Sequence, residues 1–479
     1  MFLKRFYDDG LAQASYLIGC AKTGEALVID ANRDIQQYLD AVAAEKLRIT
    51  HVTETHIHAD YVSGSRELAH ATGAKLFLSA EGGKDWQYGF AASDNATLLR
   101  DGDQFKVGNI LIEAMHTPGH TPEHLSFLVT DTAGASEPMG IASGDFVFVG
   151  DVGRPDLLER AAKIEGTMEA GAKQLFHSLE RFRKLPDWIQ VWPGHGAGSA
   201  CGKSLGAVPT STVGYEKRFN WGVGTTDEQD FVTMVLAGQP DPPLYFAEMK
   251  RINRDGPRVL GGFPTPARSG RTALQRALQS DAIVIDTRTS EAFAEGHAPG
   301  TINIPLSKSF STWAGWLARY DVDLHLIADD EPALHRAIRD LAMIGLDRVT
   351  GWSDRAVIAE WRAAGLPVGT VAKLDVKALA PRLAGGDVTV VDVRNLSEWS
   401  AGHLPGAIHI PLGRLSERLA EIPRDKPLIV QCQSGGRSAI GVSVLQRLGI
   451  TNATNLSGGF SAWQQAGHKV VRDEQLVSA

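Results

Sequence analysis

The residues best suited to chemistry lie in Thr55-His56-Ile57-His58-Ala59-Asp60-Tyr61, where two imidazoles and a carboxylate occupy alternate positions. Residues two apart in an extended segment point to one side, so His56, His58 and Asp60 can converge as they leave a strand. Imidazole and carboxylate together are ligands of zinc and non-haem iron, and the spacing reads as a metal site rather than a polar loop. A second stretch carries different chemistry. The apolar run Leu428-Ile429-Val430 leads through Gln431 to Cys432-Gln433-Ser434-Gly435-Gly436-Arg437-Ser438, with a helix expected to begin at the end of this loop. Backbone N–H groups of such a loop, with the helix N-terminus, stabilise anions, a thiolate included. Cys432 can therefore take sulfane sulfur and carry it as a persulfide. Arg437 is expected to hold the anionic donor, inside a cradle of Gln433, Ser434, Gly435, Gly436 and Ser438. The loop is one residue shorter than that of Cys-dependent phosphatases, which favours a sulfur donor smaller than phosphate.

Strands must position the first set. Arg48-Ile49-Thr50-His51-Val52-Thr53-Glu54 alternates and is rich in β-branched residues, so it reads as a buried strand ending at His56. The same arrangement recurs. Ile110–Ala114 precedes His116-Thr117-Pro118-Gly119-His120-Thr121-Pro122-Glu123-His124, whose prolines exclude a helix. Ile141-Ala142-Ser143-Gly144 ends in Asp145, and Val191-Trp192-Pro193-Gly194 ends in His195. Each polar cluster closes an apolar strand, as a site at the strand ends of a sheet requires. Upstream, runs around Tyr16 and Val28 flank Gly24 like a hairpin ending in Asp30, and a helix is expected from Ile35 to Glu45. Arg154 and Asp156 admit two readings, an internal pair bracing their loop or a clamp for a substrate carboxylate. Cys201 follows His195 closely and is expected to be buried and inert, with an approach to the pocket as the alternative. Cys20 reads as packing.

His-x-His-x-Asp, then Gly119-His120, Gly144-Asp145 and Gly194-His195, resemble the ordered metal motifs of the metallo-β-lactamase superfamily over residues 1–250. The resemblance implies an αββα sandwich with the metal between two sheets. Dinuclear members place His after the Asp of the first motif. Tyr61 stands there in this chain, and a phenol is a poor ligand for a second ion. The sequence is also similar to the persulfide dioxygenase branch, through His116–Pro122, Gly150-Asp151-Val152-Gly153-Arg154-Pro155-Asp156 and Gly196–Lys203. In that branch His56, His120 and Asp145 correspond to ligands of one Fe(II) per chain, with zinc as an admissible substitute and O2 as co-substrate. A face of two His and one carboxylate leaves coordination positions open. His58, Asp60 and His195 then surround the ligands or mark a second ion's place, and Tyr61, Arg154 and Asp156 are expected on the substrate side.

Pro240-Asp241-Pro242-Pro243 and Gly261-Gly262-Phe263-Pro264-Thr265-Pro266 mark a boundary, with a linker expected over 251–264. Beyond it the chain repeats at an offset of about 106 positions. Ile285-Asp286-Thr287-Arg288 matches Val391-Asp392-Val393-Arg394, and Gly296-His297-Ala298-Pro299-Gly300 matches Gly402-His403-Leu404-Pro405-Gly406. Both copies, 265–368 and 373–474, resemble rhodanese-like α/β domains with parallel sheets. Only the second carries Cys432. The first has Asp329 near that position, which repels anionic donors and cannot carry sulfur, so it reads as a spacer or docking domain.

A net charge of −8 argues against a nucleic-acid or anionic-membrane binder. No run of about 18 apolar residues is present, and three scattered cysteines suit a reducing cytoplasm. The combined expectation is oxidation of a low-molecular-weight persulfide, such as glutathione persulfide, to sulfite and thiol. Sulfur exchange with thiosulfate or sulfite through Cys432 accompanies it. The family suggests a homodimer or higher homo-oligomer. The rival is a glyoxalase II-like thioester hydrolase with a dinuclear centre and an accessory sulfurtransferase domain.

Overall fold

Period-two alternation builds the first part of the molecule. In the computed structural model, which describes residues 1–157, 159, 166–203, 205–239 and 242–472, the strand Gln13–Cys20 sends Leu17 to one face and Tyr16 and Ile18 to the other. Its neighbour Glu25–Ile29 sends Ala26 and Val28 one way and Leu27 and Ile29 the other. A sheet that is apolar on both faces needs cover on both. Helices Gln36–Ala44 and Ser65–Thr72 cover one face through Tyr38, Ala41, Val42 and Leu68. A second sheet covers the other through Ile112, Phe127, Val129 and Trp192. Helices Thr167–Arg183 and Glu228–Leu236 close that sheet's far side, with Leu175, Phe182 and Phe231 against Ile141 and Val191. The result is the expected αββα sandwich.

Each sheet has six strands. The first begins with the antiparallel set Phe2–Asp8, Gln13–Cys20 and Glu25–Ile29, and continues in parallel through Arg48–Thr53, Lys75–Ser79 and Thr97–Leu99. In the second, Gly140–Gly144 pairs in parallel with Gln190–Pro193 and antiparallel with Leu125–Asp131.

The boundary differs from expectation. Residues 251–255 are not linker but the end of the helix Phe246–Asp255. Asn253 on that helix donates to the carbonyls of His58 and Tyr61, both at 2.7 Å, and accepts from Ser63 N–H at 2.9 Å. These bonds satisfy the irregular backbone after His56, so the sandwich needs the helix. The first compact unit runs to Phe263 and includes 342–345; the second takes 264–341 and 346 onward. The Pro240-Asp241 pair and the last two positions of the second repeat, 473 and 474, lie outside the described residues.

In the second unit the first repeat forms a four-stranded sheet in the order Ile302–Asn303, Ile283–Asp286, Leu324–Ala328, Val349–Asp354, with every pair parallel. The second repeat has the same order in Ile408–His409, Thr389–Asp392, Leu428–Gln431 and Ala453–Leu456, and adds Ala372–Leu374 at the edge. The repeated motifs have a structural cause. Arg288 and Arg394 each grip the Asp two residues before them and donate to the carbonyls of Gly296 and Gly402 at 3.1 and 2.8 Å. Each repeat builds its own sheet, and both lie in one compact unit. Among the described residues no helix is long and apolar enough to cross a membrane.

Candidate metal centre and thiol loop

The donor groups sit where strands of both sheets end. His56 follows Arg48–Thr53, His120 lies between Ile110–His116 and Leu125–Asp131, Asp145 follows Gly140–Gly144, and His195 follows Gln190–Pro193. Gly144, at φ +50°, permits the turn into Asp145; a side chain there would strike Thr55 and His124. His56, His120 and Asp145 are buried, and each offers a ligand atom within 4.8 Å of the other two. His120 Nε2 lies 3.4 Å and His56 Nε2 3.9 Å from Asp145 Oδ2. His56 Nε2 and both Asp145 oxygens are buried without a hydrogen-bond partner, a costly state that a cation relieves. The donor set fits a metal.

Neighbours hold the rings ready. His120 Nδ1 lies 3.0 Å from the Arg154 carbonyl, which can only accept, so Nδ1 carries the proton and Nε2 keeps its lone pair. His195 Nδ1 and the Ala12 carbonyl, also 3.0 Å apart, repeat the arrangement. Thr55 Oγ1 donates to Asp30 Oδ2 at 2.9 Å and lies 3.0 Å from His56 Nδ1. Its own proton is spent on Asp30, so it accepts from His56. His124 Nε2 accepts the Asp145 N–H at 3.1 Å. Burial, followed by the crowding of His58, His120, His124 and His195, holds the His56 imidazole well below its usual range. Burial also lowers His120. Both are therefore neutral near pH 7, as ligation requires.

His56, His58 and Asp60 do not converge on one point. The strand ends at Thr53, and the irregular backbone after it breaks the period of two. His58 turns to Asp30, with Nε2 3.2 Å from Oδ1. Burial alone would lower its pKa, yet Asp30, then Glu54 and Asp60, push it up to about 9. Asp60 instead meets His195 Nε2 at 3.2 Å. With Cys201 these two form another trio whose ligand atoms lie within 4.8 Å of one another. Burial, with Asp60 and Asp145, pushes the Cys201 thiol up to about 12.

Tyr61, Arg154 and Asp156 are as deeply buried as the metal trio. Tyr61 is fully buried, its ring tilted against that of His58 with centroids 4.5 Å apart, and its hydroxyl lies 3.3 Å from Gln13 Nε2 and 3.4 Å from the Asp30 carbonyl. Arg154 and Asp156 are fully buried, joined by two bonds of 2.8 and 2.7 Å, and Arg154 also donates to the Ala200 carbonyl at 3.1 Å. A guanidinium held this way braces its loop. Asp30 is the residue that sequence reading missed. It ends the buried strand Glu25–Ile29, the same signal that marked Asp145 and His195.

The thiol loop follows the strand Leu428–Gln431 and feeds the helix Gly436–Arg447. Gly435, at φ +105°, turns its N–H onto Cys432 Sγ at 3.1 Å, and Ser438 Oγ lies 3.4 Å from the same sulfur. Asn455 ties the cradle from the next strand, donating to the Gly435 carbonyl at 3.1 Å. The Gln433 side chain points elsewhere, donating to Ser461 Oγ at 2.9 Å. Arg437 is engaged too: both of its terminal nitrogens donate to Glu398 at 2.6 Å. The first repeat cannot build this loop. Only Asp329 and Asp330 separate the strand Leu324–Ala328 from the helix Glu331–Met343, against four residues, 432–435, in the second repeat.

Known proteins agree with this architecture. Residues 8–195 match the metallo-beta-lactamase superfamily, and residues 375–466 match the rhodanese-like domain. The solved metallo-beta-lactamase from Staphylococcus aureus subsp. aureus COL is 47% identical, covering 74% of this chain and 99% of its own, with a TM-score of 0.68. A sulfurtransferase from Allochromatium vinosum is 35% identical over 105 residues, 22% of this chain and 98% of its own length. A hydroxyacylglutathione hydrolase from Methylococcus capsulatus is 32% identical over 157 residues, 33% of this chain and about half (52%) of its own length. The chain belongs to the metallo-β-lactamase superfamily, with a rhodanese-like domain following the metal-binding fold.

Proposed function

We propose that this chain is a persulfide dioxygenase joined to a sulfurtransferase. The observation that carries the reading is the buried trio His56, His120 and Asp145, two imidazoles and one carboxylate, on one chain with a cradled Cys432. Such a face suits a single non-haem Fe(II), which when bound supplies open positions for substrate sulfur and O2. The balanced reaction is RSSH + O2 + H2O → RSH + SO3²⁻ + 2H⁺, with glutathione persulfide as the representative substrate. The chain's own residues keep the site in order. Arg154 and Ala12 carbonyls orient His120 and His195, and Thr55 with Asp30 orients His56. Buried Tyr61 occupies the position where a second ion would require imidazole. At the other site, Cys432 exchanges sulfur with thiosulfate or sulfite.

One observation favours the hydrolase rival. Asp60, His195 and Cys201 are close enough to hold a second ion, and a hydroxyacylglutathione hydrolase is among the relatives. Metal content and oxygen uptake on glutathione persulfide, using protein purified without air, separate the two. About one iron per chain, with uptake lost in His120→Ala, is the expected result. Two metals per chain, no oxygen uptake and rapid thioester cleavage would establish the hydrolase instead.

A further inference from the structure

One helix end differs between the two repeats in what surrounds it. In the second repeat the helix Gly436–Arg447 starts at the thiol loop and ends in Gln446, Arg447, Leu448 and Gly449. In the first, the corresponding helix Glu331–Met343 ends in Ala342, Met343, Ile344 and Gly345. Both glycines close their helix in the left-handed region, at φ +74° for Gly345 and +87° for Gly449. Gln446 and Arg447 are half-buried, Leu448 is exposed, and a side chain at Gly449 would meet nothing. Ala342, Met343 and Ile344 are instead all buried. A side chain at Gly345 would press on Val62 and on Met249 and Ile252 of the helix Phe246–Asp255.

Residues 342–345 belong to the first compact unit, and they meet it at the stretch that carries the metal ligand His56. The Met343 carbonyl accepts the Val62 N–H at 2.7 Å. Buried Arg33 donates from Nη1 to the Ala342 carbonyl at 3.1 Å and from Nη2 to the Arg258 carbonyl at 2.8 Å. Carbonyls in the last turn of a helix have no partner within it, so this helix end is free to accept from Val62 and Arg33. The backbone after Thr53 is irregular and takes its partners singly: Ile57 N–H finds Glu123 at 2.7 Å, Val62 N–H finds Met343, and Gly64 N–H finds the Ala31 carbonyl at 2.7 Å. Each buried N–H in such a stretch needs a partner of its own.

We infer that the cysteine-free repeat supplies a positioning element of the metal centre: its helix end, 342–345, clasps the stretch from His56 to Gly64 and keeps His56 in register with His120 and Asp145. Arg33 is a positioning residue that acts through the Ala342 carbonyl. The same copy that lacks the thiol loop has the buried, apolar helix end, so the two repeats divide the work, one carrying sulfur and the other steadying the metal ligands. The inference rests on the reading of His56, His120 and Asp145 as a metal site and is independent of which metal binds and which reaction follows.

The full chain, loaded with Zn(II) as the probe, is compared with Arg33→Ala, Arg33→Lys and Gly345→Val. Amide hydrogen exchange is followed across residues 57–64 and, as a reference, across the strand Gln13–Cys20. Zn(II) release to a chelator is timed, and thiosulfate sulfurtransfer is assayed on the same samples. The expected result in Arg33→Ala and Gly345→Val is exchange across 57–64 and Zn(II) release each faster by about tenfold. Arg33→Lys should recover part of both, while exchange in Gln13–Cys20 and sulfurtransfer stay within about twofold of the parent. Exchange or Zn(II) release unmoved in both variants overturns the inference, as does equal loss of protection in Gln13–Cys20 or a parallel loss of sulfurtransfer. A parent chain that holds no Zn(II) overturns the metal site itself.

Discussion

Glu398 and Arg437 form a bidentate ion pair, with both oxygen–nitrogen distances at 2.6 Å. Glu398 also accepts the N–H of Asn395 at 3.2 Å, closing the cap of the helix Leu396–Ser400. The first turn of the Cys432 helix is thus tied to a second helix that does not carry the thiol. Arg437 shapes the loop through this pair. Glu398→Gln is expected to lower kcat/KM for thiosulfate by about tenfold, because a preorganised cradle is loosened. A rise instead would show that Arg437 must leave Glu398 to bind the donor.

Cys432→Ser is expected to abolish thiosulfate sulfurtransfer, a loss of at least about a thousandfold, because the serine hydroxyl cannot carry sulfane sulfur. Persulfide-dependent oxygen uptake by the same variant should stay within about twofold of the parent. Loss of both activities would refute independent sites.

Asp30 touches none of the trio directly, yet it holds Thr55 N–H at 2.7 Å, the Thr55 hydroxyl at 2.9 Å and His58 at 3.2 Å. Asp30→Asn turns one acceptor into a donor in a fully buried network. Groups that orient ligands typically matter about 10–100-fold, and iron per chain together with oxygen uptake should fall within that range. Full iron loading in the variant would remove Asp30 from the centre.

His325 sets a pH limit on the second unit. It is buried on the central strand Leu324–Ala328, with Nε2 3.0 Å from Ser353 Oγ. Burial lowers its pKa from 6.5 to about 4. Between those values the unfolded chain binds the proton and the folded chain does not. Stability therefore rises with pH across the window and is lost as pH falls from about 6.5 toward 4. The contribution is of order 3 kcal/mol. Urea unfolding at pH 7 and pH 5 should show this slope in the parent and a flatter one in His325→Leu; identical slopes would remove His325 as its cause.

Much of the molecule was legible in the chain itself. The apolar runs around Tyr16 and Val28 foretold a hairpin, the ordered metal motifs implied the αββα sandwich through their family resemblance, and the polar clusters after Thr53, Gly144 and Pro193 foretold a site at strand ends. The strand–Cys–glycine–helix order around Cys432 likewise specified its cradle, because a backbone loop of that length has few ways to close. These features are local, set by the period of the pleat and the reach of a few residues. What the tertiary structure decided is the pairing of groups far apart in sequence. Period two suggested that His56, His58 and Asp60 converge on one point, but the strand stops at Thr53; the His58 ring stays 4.2 Å from that of His56, while Asp30 and His195 take up the His58 and Asp60 side chains. Tyr61 and Arg437 likewise read as groups facing a substrate until Gln13 and Glu398 came alongside, whereas the pair of Arg154 and Asp156, two residues apart, was one of the two readings the sequence offered. A buried or half-buried polar group takes whichever partner the packing of distant segments brings within about 3 Å, and sequence spacing carries no record of that choice.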